Sequence, residues 1–143
     1  MGPAVSAEVL LTPLKRIDGP SGAVLHAMKA GAAGYAGFGE AYFSEIYQGA
    51  VRGWRRHNRV TLNLIVPRGD VRFVMHDDRA ASERFIVHTI GTSNYARLTV
   101  PPGIWVAFRG EAPGTSLILD IIDEAHEPSE SEVCALSAFS YSW

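Results

Sequence analysis

The sequence has a single cysteine, no long apolar run and almost no net charge, and each shortage closes off a class of function. Cys134 alone forms no internal disulfide and supplies no cysteine-based zinc site, so it is expected to be a small, inert hydrophobe. No apolar stretch approaches the roughly 18 residues that span a bilayer, and the N-terminus shows no signal-peptide pattern. A membrane partner is not expected, and a cytoplasmic location is the default. Lys and Arg number 13 against 15 Asp and Glu, for a formal net charge of −2 and no basic tail. That balance gives no electrostatic case for nucleic acid. What is present describes an ordinary folded chain of 143 residues, 47% hydrophobic and 20% charged. That length holds one domain with a real core, residues 1–143, and leaves no room for two.

Helical periodicity is missing as well, and strand signals take its place. Val24–Met28, Ala41–Tyr47, Ala50–Trp54, Val60–Val66, Val71–His76, Glu83–Ile90, Ala96–Val100, Ile104–Arg109 and Ser116–Asp123 are short runs rich in Val, Ile, Leu and aromatics. Gly, Pro, Asn and Asp punctuate them, as in Pro67-Arg-Gly-Asp70, which reads as a tight hairpin. Strands at this spacing predict an all-β sandwich or barrel. Along Thr61–Val66, Leu62 and Leu64 share one face and Thr61, Asn63 and Ile65 the other; a polar side turned inward would give a wet lumen. Val5–Leu11 offers an N-terminal edge strand able to pair with a partner, and Ala27–Gly39 reads as a loop. Near the end, Ser129–Leu136 is expected to form one short helix, with Ser129 and Glu132 as a capping box.

Chemistry-bearing residues concentrate between Glu40 and His57. The run Val51-Arg-Gly-Trp-Arg-Arg-His57 carries three cations, an indole and an imidazole. Strict alternation sends Arg52, Trp54 and Arg56 to one face, and Val51, Gly53, Arg55 and His57 to the other. An anionic, ring-bearing ligand beside a titratable base requires these residue types, although a solvated basic edge strand has the same composition.

Four elements then follow one another in order: Ser44-(x4)-Gly49-Ala-Val-Arg-Gly53, Gly69-(x7)-Asp77-Asp-Arg79, Leu98-Thr-Val-Pro-Pro-Gly103 and a late Pro128. This series resembles the cupin-type dTDP-4-dehydrorhamnose 3,5-epimerase family (RmlC-like) and its relatives, the sugar-nucleotide 3,4-ketoisomerases. The resemblance runs from about Phe38 to Pro128. It implies a cupin jelly-roll barrel or sandwich, a homodimer, and a nucleoside-diphosphate keto-deoxysugar held in its lumen without a cofactor. It also implies an epimerase or isomerase of deoxysugar or surface-polysaccharide biosynthesis.

Such a reaction removes a proton next to the 4-keto group, which requires a base, a cation or donor for the enolate oxygen, and an acid. The chain departs from the epimerase pattern where these groups sit. Arg55 stands at the family's base position, Ala125-His-Glu127 where its tyrosine acid lies, Leu62 near its lysine, and Val106 where a second histidine is placed. His57 matches the second histidine of the ketoisomerase His-x-His pair and is the expected base. Asp77 matches the family's acidic position and is expected to orient an imidazole or arginine, while Tyr42 offers a phenol acid; His126 is the alternative acid. Arg52 is retained and suits a diphosphate. Arg55, Glu40, Asn63, Tyr47 and Arg79 complete the expected binding set, and Trp105 and Phe108 are expected core. Arg55 and Val106 break the metal-binding cupin pattern, so no metal is expected. A second class stays open: a non-catalytic accessory protein that keeps the sugar-nucleotide pocket.

Overall fold

A computed structural model describes residues 8–80 and 84–143. Its strands in chain order are β1 (Leu10–Pro13), β2 (Arg16–Gly19), β3 (Gly22–Leu25), β4 (Glu40–Tyr47), β5 (Val51–His57), β6 (Leu62–Arg68), β7 (Asp70–His76), β8 (Phe85–Gly91), β9 (Ala96–Val100), β10 (Trp105–Gly110), β11 (Thr115–Ile122) and β12 (Ser131–Val133). Among the described residues they form two five-stranded sheets, ordered β1-β9-β6-β11-β4 and β12-β5-β10-β7-β8, with β2 and β3 as a separate hairpin. The sheets stack as a sandwich, and the expected all-β jelly-roll architecture takes this open, two-layer form.

Alternation explains which side chains meet between the layers. Leu62, Leu64 and Val66 of β6, with Ile118 and Ile122 of β11, pack against Phe73 and Met75 of β7 and Val106 of β10. The polar side of β6 points outward instead. Asn63 is buried there, donating through Nδ2 to the Gly34 carbonyl (3.0 Å) and accepting from Thr99 Oγ1 (2.6 Å). Arg97 donates to the carbonyls of Ala27 and Ala33 at 2.8 Å each, and the Tyr95 hydroxyl to that of His26. The loop expected over Ala27–Gly39 is thus a strap whose backbone is bonded to the outer face of the first sheet. Gly34 has φ +85°, and a Cβ there would collide with the Thr99 side chain.

The second sheet is covered on both sides. Trp54, Val74, Trp105 and Ala107 face away from the sandwich and are buried by Phe85, Cys134, Phe139, Tyr141 and Trp143. Trp54 is fully buried, meets Phe139 edge-on at 5.2 Å and donates Nε1 to the Leu136 carbonyl at 3.1 Å. Burying that indole contributes roughly 2–3 kcal/mol.

The C-terminal segment departs from expectation. Ser129–Leu136 is not one helix: two 3-10 turns, Pro128–Glu130 and Leu136–Ala138, flank strand β12, which pairs with β5. The Ser129 hydroxyl bonds Glu127 rather than capping toward Glu132. Glu132 instead reaches Arg56 at 2.6 Å, and Glu130 turns inward onto the end of β5. Extended backbone satisfies both carboxylates across the ladder, and tertiary pairing overrides the local capping signal. Of the expected strand Val5–Leu11, residues 5–7 lie outside the described residues; Leu10 and Leu11 belong to β1, which pairs with β9. Glu83, expected to open β8, also lies outside them.

Candidate active site between the sheets

A break in alternation builds the basic wall of the site. In the β5–β10 ladder Arg52 opposes Phe108 and Arg55 opposes Val106, which leaves Gly53 and Trp54 facing Ala107 alone. This bulge shifts the phase of the strand. Arg52, Arg55 and His57 consequently share the inner face, while Trp54 and Arg56 point outward, Arg56 over the Trp105 ring at 4.8 Å. The strict alternation expected from sequence placed Arg52 with Trp54 and Arg56; the extra residue in the bulge corrects that.

The opposing wall comes from the first sheet. Glu40, Tyr42 and Ser44 alternate inward along β4, and Asp120 lies between Ile118 and Ile122 on β11, directly across the ladder from Tyr42. Both walls line a cavity of about 700 Å³, with Leu62, Leu64, Phe73, Val106 and Phe108 as its apolar floor. His126 also reaches this cavity, and its backbone N–H donates to Glu40 Oε1 at 2.8 Å.

His57 is held from behind. Its Nδ1 lies 2.6 Å from Glu130 Oε1, while Glu130 Oε2 accepts from the backbone N–H groups of Asn58 and Arg59 at 2.8 Å and Val60 at 3.1 Å. Burial alone would raise the Glu130 pKa. The hydrogen bonds from Arg59, His57 and Val60 outweigh it and hold the carboxyl down at about 2. A carboxylate only accepts, so Nδ1 carries a proton, and in the neutral imidazole the lone pair is on Nε2. That is the arrangement of an oriented general base.

Arg55 donates Nη1 to Ser131 Oγ at 2.8 Å, and Arg52 donates Nη2 to the Glu45 carbonyl at 2.7 Å with its guanidinium 5.6 Å from the Phe108 ring centroid. Both cations are fixed on the cavity. Asp120 is only 8% exposed and accepts from Ser44 Oγ at 2.9 Å. Burial pushes its carboxyl up to about 6, against the smaller opposing effects of the Ser44 bond and Arg52. Burial also raises the Tyr42 phenol, with Asp120 and Glu40 adding and Arg55 opposing, so Tyr42 is a neutral hydroxyl across the accessible pH range.

Of the residues singled out in the sequence, the structure brings Glu40, Tyr42, Arg52, Arg55 and His57 to one cavity. It places four elsewhere. Asn63 is turned to the outer face beneath the strap. Tyr47 is 70% exposed and lines a second cavity of about 500 Å³ along β4 and β5. Asp77 and Arg79 pair with each other at 2.9 Å in the turn after β7, where the Arg79 hydrogen bond lowers the Asp77 pKa. Glu130 and Asp120 went unread in the sequence. Nothing local marks Glu130, which is 73 residues from His57. Asp120 did carry a signal: a lone charge inside Leu117-Ile-Leu-Asp-Ile-Ile122, where every neighbour is apolar. Among the described residues, no group of three or more His, Cys, Asp or Glu side chains is placed to hold a metal, and no helix is long and apolar enough to cross a membrane.

A two-layer sandwich with a cationic wall, a held imidazole and a carboxyl opposite forms a cavity suited to an anionic ligand and to proton transfer. No family model matches the sequence. A dTDP sugar isomerase from Desulfovibrio desulfuricans G20 superposes with a TM-score of 0.90 and 31% identity, over 96% of this chain and 91% of that one. ChmJ, a 3'-monoepimerase from Streptomyces bikiniensis in complex with dTDP-quinovose, gives 0.74 at 14% identity over 93% and 72%. QdtA, a sugar 3,4-ketoisomerase from Thermoanaerobacterium thermosaccharolyticum, gives 0.68 at 16% over 88% of each; at such identities the likeness is one of fold. A curated relative, the probable low-salt glycan biosynthesis epimerase Agl13 of Haloferax volcanii, is 25% identical over 99 residues, and the match covers 64% of this chain and 64% of that protein's length, less than two thirds. The chain belongs to the family of that dTDP sugar isomerase, and shares its fold with dTDP-4-dehydrorhamnose 3,5-epimerases.

Proposed function

We propose that the protein is an epimerase or isomerase of a nucleoside-diphosphate-linked keto-deoxysugar, serving deoxysugar or glycan biosynthesis. The observation that carries this reading is His57, locked by Glu130 with Nε2 free to accept, on the same wall as Arg52 and Arg55. Arg52 and Arg55 bind the diphosphate and the ketone end of the sugar by charge-assisted bonds. His57 Nε2 takes the proton next to the 4-keto group, Glu130 stabilises the imidazolium that forms, and Arg55 with the neutral Tyr42 hydroxyl faces the enolate oxygen. Glu40 positions the His126 segment at the cavity edge.

A homodimer belongs to the same proposal. Strand β4 is the edge of its sheet, and its outward Phe43 and Tyr47 are 65% and 70% exposed, an apolar pair suited to a second copy. Sedimentation velocity at micromolar concentration reads this directly. A cytoplasmic location goes with the nucleotide-linked substrate class. The test of activity is incubation with a panel of dTDP-linked 4-keto-6-deoxysugars, followed by NMR of the sugar. A new stereoisomer or a moved carbonyl is the expected result. Tight binding of every sugar nucleotide with no turnover would contradict it and leave the accessory reading.

A further inference from the structure

The Asp120 carboxyl is a buried titratable group that the reaction outlined above does not use. It lies on β11 of the first sheet, whereas His57 lies on β5 of the second, and both line the same cavity. A planar enolate held between these sheets would present one face to His57 and the other to Asp120. The surroundings of Asp120 are otherwise spare. Tyr42 stands beside it across the β4–β11 ladder, Ser44 donates to its Oδ2, and Glu40 is further along β4. Leu64 is its partner on β6, and Arg52 and Arg55 are the cations of the facing β5 wall. With one hydroxyl donor and little solvent, the carboxyl is arranged to exist in either protonation state, as a proton donor must.

We propose that Asp120 is the catalytic acid that returns a proton to the substrate from the face opposite His57, making the enzyme an inverting epimerase at one carbon. The proposal rests on the function proposed above and deepens it. His57 Nε2 takes the proton from the carbon next to the ketone, and the C–H electron pair moves into an enolate whose oxygen faces Arg55 and Tyr42. The enolate pair then takes the Asp120 proton on the other face and the ketone re-forms. Asp120 is left as a carboxylate and His57 as an imidazolium. Loss of a proton from His57 to water and uptake of one by Asp120 restores both, with no net change in protons or electrons.

The test follows two signals at once in deuterated buffer with a turned-over dTDP-4-keto-6-deoxysugar: loss of the proton next to the ketone, and appearance of the inverted epimer. Asp120→Asn is nearly isosteric and cannot donate as an acid. The expected result is a ratio of inversion to exchange at least ~100-fold below wild type, within the range for removing a general acid. Ser44→Ala supplies an independent reading, since the Ser44 bond favours the carboxylate. Its loss should move the high-pH limb of the inversion rate upward by a measurable fraction of a pH unit. A wild-type ratio in Asp120→Asn, or a Ser44→Ala limb that does not move, overturns the assignment while leaving His57 as base. No exchange by wild type with any sugar of the panel overturns the function itself, and the assignment with it.

Discussion

The two walls of the cavity are built from opposite chemistry by opposite means. The β5 wall is cationic and depends on an irregularity, the bulge at Gly53–Trp54 that turns Arg52 to the side of Arg55 and His57. The β4–β11 wall is regular: an unbroken register from Thr115↔Tyr47 to Ile122↔Glu40 carries Glu40, Tyr42, Ser44 and Asp120 inward by simple alternation. The place of Arg52 on the cationic wall is therefore set by a bulge, whereas the carboxyl side is set by the ladder itself. The walls also differ in how each carboxylate is treated. Glu130 behind the base is surrounded by backbone donors and stays ionised, while Asp120 opposite has one hydroxyl and is pushed toward neutrality.

The largest expected effect comes from the cationic wall. His57→Asn should lower turnover by ~10²–10⁴-fold with the fold intact, read from steady-state kinetics and far-UV circular dichroism. Arg55→Ala should weaken dTDP binding by roughly 10–100-fold, the worth of a charge-assisted hydrogen bond, measured by isothermal titration calorimetry. Glu130→Gln keeps one accepting oxygen but turns an NH2 donor toward either the three backbone amides or His57 Nδ1–H, and should cost on the order of 3 kcal/mol in urea unfolding. The sign of the pH dependence follows from its depressed pKa. Stability from Glu130 is complete above the ordinary carboxylate range and is lost as pH falls toward about 2.

The opposite wall should give the opposite sign. The raised pKa of Asp120 means that its contribution is complete below the ordinary carboxylate range and is lost as pH rises through about 6. Asp120→Asn should therefore be neutral or slightly destabilising at pH 4 and stabilising, by on the order of 1–2 kcal/mol, at pH 8. Urea midpoints at the two pH values test it; a change of the same sign and size at both would break the contrast between the walls. The smallest effect belongs to a residue outside both. Asp77→Ala removes an exposed ion pair with Arg79 and should change stability by less than about 1 kcal/mol, with turnover unaltered.

Much of the regular wall could be read from the chain. Apolar runs punctuated by Gly and Pro located β4 through β11 to within a few residues, because half-buried strands impose a period of two. The same rule put Leu62 and Leu64 on one face and Asn63 on the other, but it does not say which face is inside. The side carrying Thr61 and Asn63 would make a wet lumen only if turned inward; Asn63 is instead the outer-face anchor of the 27–39 strap, bonded to Gly34 and Thr99. Bulges escape pattern reading because the inserted residue alters no composition, so Arg52 was assigned to the wrong side of its strand. Glu130 escaped because its role exists only after β12 has docked on β5, a contact between distant segments that competes with a plausible local helix cap. The site residues taken by similarity fared unevenly for the same reason: Arg52 and His57 lie on a strand whose place is set by the sandwich, whereas Asp77 and Arg79 lie in a turn that pairs with itself.

The measurement that bears most directly on the central claim is deuterium incorporation by NMR, comparing wild type with His57→Asn on one dTDP-4-keto-6-deoxysugar that binds both. Deuterium entering next to the ketone in wild type, and slowed at least ~100-fold in the variant, is the predicted result. Equal incorporation by both proteins would contradict it and remove His57 as the base.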